Sequence, residues 1–554
     1  MPAMFRRRPA PVRAALTLVI GAALLCLLFV PARDDENLRF AIDWRPEIEP
    51  LLLIGVLALL ALAGRRLSPW FRWVLATLVV LAALWQFADA LVLSFFDREL
   101  NLYLDLPHVP NLLALFYEAA GPWRGFVEVA GVALGAIAAI AVVAYALGAV
   151  ERALRPHAHA RACLGVVAVA LLLVPLPLAD GESLLGARTA PTLAHQAALL
   201  YRSWAVMHGY DQQYAAALAA PQPPLGRLDG LKHHDVYIVF FESYGTVVLD
   251  DPRYAAKIAP ALAEFQATVE QAGYQLLSSR IVSPTFGGGS WLAHGSIESG
   301  LKLDQFLARL ITQSKRNTLA RYMAAAGYRT IEVAPGLKTP APDSGFWGFA
   351  QSYFAGDLGY AGPPFGWFDI PDQYTLRRVD ATAAATDGRA PLFAQIVLVS
   401  SHTPFVPVPP YVADWSDAGD YRSVTPEAWK RIYAPPDWSA LGEPYVASVV
   451  YDLQTLGAWL AHRDGDALVI ILGDHQPPGF ISGEKQPWTV PIHVLSRDPD
   501  LIWPFAAAGY AEGAMPPRTG DFKGMESFLD DFLKAFANQE AALAAPATPE
   551  HRSD

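Results

Sequence analysis

Two side chains with metal-ligand chemistry, Asp474 and His475, stand where the run ALVIILGDHQPP stops being apolar. A buried strand ending in glycine, carboxylate and imidazole would deliver both groups to the edge of a sheet. Three other apolar runs end on comparable chemistry. VYIVFF is followed by Glu242, Ser243 and Gly245, and LFAQIVLVS by Ser401, His402 and Pro404. YQLLSSRIVS leads into PTFGGGSWLAHGS, where Gly287, Gly288 and Gly289 precede Ser290. Glu242, Asp474 and His475 form a mixed oxygen and nitrogen set suited to one divalent cation, Mn or Zn, with Mg a further candidate. A hydroxyl beside such a cation loses its proton more readily and becomes a nucleophile, and Ser290 is the expected hydroxyl. The glycines let backbone approach a ligand closely, and the first N–H groups of a helix opening at Ser290 favour an anion such as phosphate.

Each of these residues also has a plainer reading. A serine after a glycine turn is commonly an N-cap. Thr285 is a rival nucleophile two residues before the glycines. His294, four residues after Ser290, either faces the site or packs on the helix flank. Glu298 is expected to be solvated, and His233 and His234 are expected in an exposed loop ahead of the first strand.

Positioning these groups requires a sheet. Apolar runs at 236–241, 274–282, 328–334, 392–400, 467–472 and 490–496 read as strands. Amphipathic runs at 259–272, 316–326, 444–462 and 524–538 read as helices. Such alternation implies an α/β domain with a mostly parallel sheet, which binds ligands beyond the carboxyl ends of its strands.

The rest of the chain is different. Of 554 residues 53% are hydrophobic and 17% charged, and the apolar excess lies almost wholly before residue 180. Candidate membrane spans fall at about 13–31, 48–64, 69–95, 122–149 and 162–179. The first could be a signal peptide, but no clear small-residue cleavage site follows it, so it is read as a retained helix. Arg6, Arg7, Arg8 and Arg13, then Arg65, Arg66 and Arg72, then Arg152, Arg155 and Arg161 occupy alternate loops. Asp34, Asp35, Glu36, Asp97, Glu99 and Asp105 occupy the others. The positive-inside rule then places the amino terminus in the cytoplasm and everything after residue 180 outside. Asp89, near a helix end, is expected to reach the interface. The expected organisation is a five-helix transmembrane bundle at 1–180, an amphipathic linker at 181–230, the catalytic domain at 231–540 and a disordered tail at 541–554. A net charge of −11 argues against nucleic acid as a partner. Cys26 and Cys163 lie in apolar stretches, which leaves the second half without a disulfide or a cysteine zinc site.

In order along the chain, five spans, an amphipathic linker, FFESYG, a glycine-rich turn with a hydroxyl, SSHTPF and LGDH resemble the membrane-bound sulfatase-like transferases of the alkaline phosphatase superfamily. Lipoteichoic acid synthase and the lipid A phosphoethanolamine transferases belong to that family. The resemblance implies an alkaline phosphatase/sulfatase-like fold, with Glu242, Ser290, Asp474 and His475 holding one metal ion. It implies Ser290 as the nucleophile, at a position usually held by threonine. His402 matches the histidine that contacts the transferred phosphoryl group, and Trp347 in GFWGF matches a substrate-pocket tryptophan. Gly289 and His294 complete the expected substrate contacts. Phe349 stands where an arginine is expected, which weakens the case for glycerophosphate recognition. The lipid A enzymes' disulfide cysteines are absent, and no sulfatase formylglycine signature surrounds Ser290. The expected partners are therefore a phospholipid donor, a glycan or lipid acceptor and the membrane, on its periplasmic or extracellular side. Water as the acceptor, or a non-catalytic sensing module, are the alternatives.

Overall fold

The computed structural model describes residues 10–34, 39–110, 113, 122–173, 185–209, 212–339, 344–366, 368–383, 389–434, 437, 440–483 and 485–537. The expected tail lies outside the described residues. The chain divides into two compact units, Met1–Ala205 and Val206–Asp554.

In the first unit all five apolar stretches form helices: α1 (Ala10–Leu27), α2 (Ile48–Leu62), α3 (Pro69–Phe96), α4 (Pro122–Leu154) and α5 (His157–Leu173). Strands β1 (Pro31–Asp34) and β2 (Arg39–Ile42) pair antiparallel between α1 and α2. Helix α6 (Thr189–Met207) follows α5. Among the described residues, only α3 and α4 contain segments long and apolar enough to cross a bilayer unaided, and α1, α2 and α5 are shorter. The apolar window of α4 is just 6% buried, against 33% for α3. Outward-facing apolar surface of this kind would cost roughly 25 cal/mol per Å² in water. Two polar groups of α3 have partners nearby. Arg72 on α3 meets Glu151 on α4 at 3.1 Å. Asp89 is buried and accepts the Leu100 N–H at 3.0 Å, so it holds the turn after α3.

The second unit is built on an eight-stranded sheet in the order β10-β4-β9-β8-β3-β7-β5-β6. Its strands are β3 (Asp235–Phe241), β4 (Gln275–Val282), β5 (Arg329–Ala334), β6 (Gln351–Phe354), β7 (Leu392–Val397), β8 (Ala467–Gly473), β9 (Thr489–Ser496) and β10 (Ala511–Glu512). The six expected strands are present, and two short edge strands, β6 and β10, join them. The sheet is mixed rather than mostly parallel. Four seams are parallel, β8–β3, β3–β7, β7–β5 and β5–β6. Three are antiparallel, β10–β4, β4–β9 and β9–β8.

Helices cover both faces, which is why the central strands β3, β7 and β8 are apolar at most positions. On β3, Tyr237, Val239 and Phe241 enter one core with α7 (Pro252–Gln271) and α10 (Gly442–Ala461). The alternate residues Val236, Ile238 and Phe240 enter the other, beneath α8 (Ser290–Ser299), α9 (Leu319–Ala325) and α11 (Phe528–Phe536). Full burial of each such side chain contributes ~1.5–3 kcal/mol. Strand register is thereby locked, since a one-residue slip would exchange the two faces.

Candidate active site

Register sets the two carboxylates side by side. Phe241 of β3 pairs with Gly473 of β8, so the next residues, Glu242 and Asp474, leave the sheet level with one another. β4 reaches the same edge by a different route. It is antiparallel to β9, which is antiparallel to β8, and the two reversals cancel. The glycine turn after β4 and the Ser401–His402 turn after β7 therefore meet the ligand pair at one end of the sheet.

Gly473 is required by a close approach: a Cβ there would lie 2.0 Å from the Tyr244 carbonyl oxygen. Gly473→Ala should lower stability by about 2 kcal/mol or more through forced displacement of the Glu242 turn. Thermal unfolding of the variant checks this, and an unchanged midpoint would contradict it.

Gly289 occupies the N-cap of α8 at φ 77°, a conformation that disfavours residues with a Cβ, and offers no side-chain cap. The cap reading of Ser290 is thereby corrected: Ser290 is the first helical residue and is free of that duty. Its Oγ lies 3.1 Å from Glu242 Oε2 and 3.1 Å from His475 Nε2. The His475 Nδ1–H donates to the Gln476 carbonyl at 2.8 Å, which leaves the lone pair on Nε2. Asp474 Oδ1 accepts the N–H groups of Ser243 at 2.8 Å and His475 at 2.7 Å. Its Oδ2 is buried without a hydrogen-bond partner, 3.7 Å from His475 Nε2.

More lone pairs than protons converge here. The ligand atoms of Glu242, Asp474 and His475 lie within 4.8 Å of one another, and all three residues are buried. An unpartnered buried carboxylate oxygen costs ~1–3 kcal/mol or more, and a cation would satisfy it. The donor set fits a divalent ion of the Zn or Mn type. Burial, and then the charge of Glu242, push the Asp474 carboxyl up to about 6. For His475, burial acts downward, but the negative charges of Asp474 and Glu242 prevail and raise it. Protons therefore compete with metal, and affinity should fall as pH drops through about 6, where Asp474 takes up its proton. Calorimetric titration with Zn or Mn between pH 5 and 8 tests this; a pH-independent affinity would refute it.

The remaining expected residues fall out as follows. Thr285 Oγ1 donates to the Gly288 carbonyl at 2.5 Å, so the rival hydroxyl buttresses the turn. His402 Nδ1–H donates to the Thr403 carbonyl at 2.6 Å, and burial holds its pKa down at about 4. The charges of His475 and Asp474 act on it, which puts it in the same neighbourhood. His294 lies against the Phe240 ring at 4.0 Å between centroids, and its Nε2 is buried without a partner. Burial lowers its pKa to about 4, against the pull of Asp474. Trp347 packs on the flank of α8, where a Cβ at Gly295 would meet its ring at 2.8 Å. Phe349 stacks on Phe393 at 6.2 Å.

Glu298 is a correction. It is 1% exposed rather than solvated, and its Oε2 accepts the Ala320 N–H at 3.0 Å at the start of α9. Burial raises its pKa to about 8. Ser243, which the sequence shows only as the strand-end neighbour of Glu242, also joins the cluster. It adopts φ 54° between the two carboxylates and donates its hydroxyl to Glu242 Oε1 at 2.8 Å. A left-handed non-glycine backbone beside two ligands is strain concentrated at a site, and adjacency to Glu242 was its only sequence signal.

The sequence matches no protein-family model and no curated protein. The structure is similar to the lipoteichoic acid synthase LtaP from Listeria monocytogenes, with a TM-score of 0.38 and 13% identity over 59% of this chain and 77% of that one. It is similar to the zinc complex of the C-terminal periplasmic domain of EcEptC from Escherichia coli, with a TM-score of 0.38 and 12% identity over 57% and 86%. The phosphoglycerol transferase GacH from Streptococcus pyogenes, in complex with sn-glycerol-1-phosphate, follows at 0.32 and 10% over 60% and 91%. These are proteins of the kind the sequence motifs resemble. At such TM-scores the likeness carries no argument of its own; the geometry around Ser290 does.

Proposed function

We propose that the second unit is a metal-dependent phosphoryl-group transferase of the sulfatase-like kind. It moves a phospholipid head group, phosphoglycerol or phosphoethanolamine, through a covalent Ser290 intermediate to a hydroxyl of a glycan or lipid. One observation carries this reading: the Ser290 hydroxyl is 3.1 Å from Glu242 and from His475, inside a buried cluster with an unpartnered Asp474 oxygen. Glu242, Asp474 and His475 would hold a divalent cation, which would lower the pKa of the Ser290 hydroxyl and offset charge on phosphate.

In the first half-reaction Ser290 Oγ forms a bond to phosphorus and the bond to diacylglycerol breaks. The proton lost by Ser290 is balanced by the one the diacylglycerol oxygen takes up. The glycine turn and the first N–H groups of α8 receive the phosphoryl oxygens. In the second half-reaction an acceptor hydroxyl attacks phosphorus, and Ser290 recovers its proton. His402 lies in the same neighbourhood, with its Nδ1–H donated to Thr403, and would contact the transferred phosphoryl group. Trp347, Gly289 and His294 complete the proposed substrate contacts. The outward-facing apolar helices α3 and α4, with α1, α2 and α5 beside them in the chain, support a multi-pass anchor. The alternating loop charges support an extracytoplasmic catalytic unit. Such an anchor keeps the site next to lipid, an advantage of proximity.

The test uses the full chain in lipid with phospholipid labelled in the head group, with and without Mn or Zn, and with and without candidate glycans. Label recovered on the acceptor supports transfer. Label released only to water assigns hydrolysis, and metal-independent turnover sinks the mechanism.

A further inference from the structure

One buried residue touches three parts of the proposed site without belonging to the ligand set. Gln476 follows His475 and is 0% exposed. The next two residues are Pro477 and Pro478, which have no N–H to tie the segment to the sheet. Its backbone carbonyl nevertheless receives two hydrogen bonds from the site. One comes from the His475 Nδ1–H at 2.8 Å. The other comes from the Gly287 N–H at 3.0 Å, at the head of the glycine turn before Ser290.

The side chain of the same residue supplies the missing anchor. Its Oε1 accepts the Val247 N–H at 3.2 Å, in the turn that follows Glu242. Its Nε2 lies against three oxygens: Thr246 Oγ1 at 3.0 Å, the Pro487 carbonyl at 2.8 Å and the Thr489 carbonyl at 2.9 Å. A carbonyl can only accept and a backbone N–H can only donate, so the carboxamide fits one way round. Room for it exists because residue 245 is glycine. A Cβ there would lie 1.9 Å from Gln476 Oε1, so the turn after Glu242 closes directly over the carboxamide.

We propose that Gln476 is a positioning residue: its carboxamide, clamped between the 242–247 turn and the 487–489 segment, holds its own carbonyl where that carbonyl fixes the His475 ring and the glycine turn together. The His475 lone pair on Nε2 and the approach of Ser290 are thereby set by one side chain. Segments following β3, β4 and β8 are joined through it. Neither near-isosteric replacement can do this. Methionine fills the space without hydrogen bonds, and glutamate would turn a carboxylate oxygen toward two carbonyls. The proposal rests on the reading above only in taking His475 and Ser290 as site residues.

The test compares the full chain in lipid with Gln476→Met and Gln476→Glu. Three quantities are measured: amide hydrogen exchange of the metal-free protein, calorimetric Zn affinity, and turnover. In Gln476→Met the glycine-turn amides should exchange faster, while those of the central strands keep the wild-type rate. Zn affinity and kcat should each fall by about tenfold or more, with KM within about twofold. Gln476→Glu should be impaired at least as much. A Met variant with wild-type exchange and Zn affinity overturns the proposal, because bulk alone would then suffice. Faster exchange throughout the domain also overturns it, since that marks general loosening. Should Gln476→Met fail to fold, Thr246→Val decides: it removes one Nε2 partner and should weaken Zn binding by about threefold, and unchanged affinity overturns the proposal. A wild type that binds no Zn would end the transferase mechanism, whereas the exchange result still decides whether Gln476 holds the glycine turn.

Discussion

Ser290→Ala should reduce turnover by on the order of 10⁴-fold or more, because it removes the atom that forms the covalent bond. The substitution takes away only one oxygen, at the first position of α8, where it caps nothing. Folding and metal content should therefore be almost unchanged, which separates this prediction from general damage. Ser290→Thr keeps a hydroxyl of similar acidity and should retain activity to within about tenfold. Single-turnover assays with labelled phospholipid, followed by isolation of the labelled protein, measure both. A Ser290→Ala protein that still acquired the label would place the nucleophile elsewhere and end the present mechanism.

The second large effect concerns Asp474→Asn. In wild type the Asp474 Oδ2 is buried without a donor, close to Glu242 and His475. Without metal this negative cluster opposes folding. The Asp474 pKa lies at about 6, above its ordinary 3.8, so the unfolded chain gives up its proton first and metal-free stability declines as pH rises through that window. With metal bound the sign reverses, because the carboxylate is the form that binds. Added Zn or Mn should stabilise wild type by ~2.7 kcal/mol at a hundredfold excess over Kd, and more strongly at pH 8 than at pH 5. Asp474→Asn keeps the shape but loses the charge. It should unfold at the same temperature with and without metal, with turnover down by on the order of 10³-fold or more. Thermal scans at two pH values, with metal and with chelator, read all of this. A metal-dependent rise in Asp474→Asn as large as in wild type would move the cation site elsewhere.

Much of the site was legible before any coordinates. Strands β3, β7 and β8 are recognisable because a strand buried on both faces is mostly apolar, and a polar group at its end is then conspicuous. Glu242, Asp474, His475 and His402 stand out as candidates in that way, and Ser290 stands out through the glycine turn before it. The apolar helices of the first unit were legible for a similar reason, since a long uncharged run is conspicuous. Glu298 was misread because a lone carboxylate in a helix is usually solvated, and nothing local announces that Ala320 will present an N–H to it. The role of Ser243 was illegible for the same cause, since its N–H meets Asp474, a residue far along the chain.

Local order in the chain thus settles which segments are strands, which are apolar helices, and which reactive groups stand at their ends. What it leaves open is relative direction and level. The mixed sheet brings β4 back to the active edge only because β9 reverses twice between β4 and β8, and Glu242 meets Asp474 only because Phe241 pairs with Gly473. Pairing of that kind is a long-range choice made by side-chain packing on both faces of the sheet. It places one hydroxyl, two carboxylates and one imidazole within reach of a single ion, and no short stretch of residues encodes it alone.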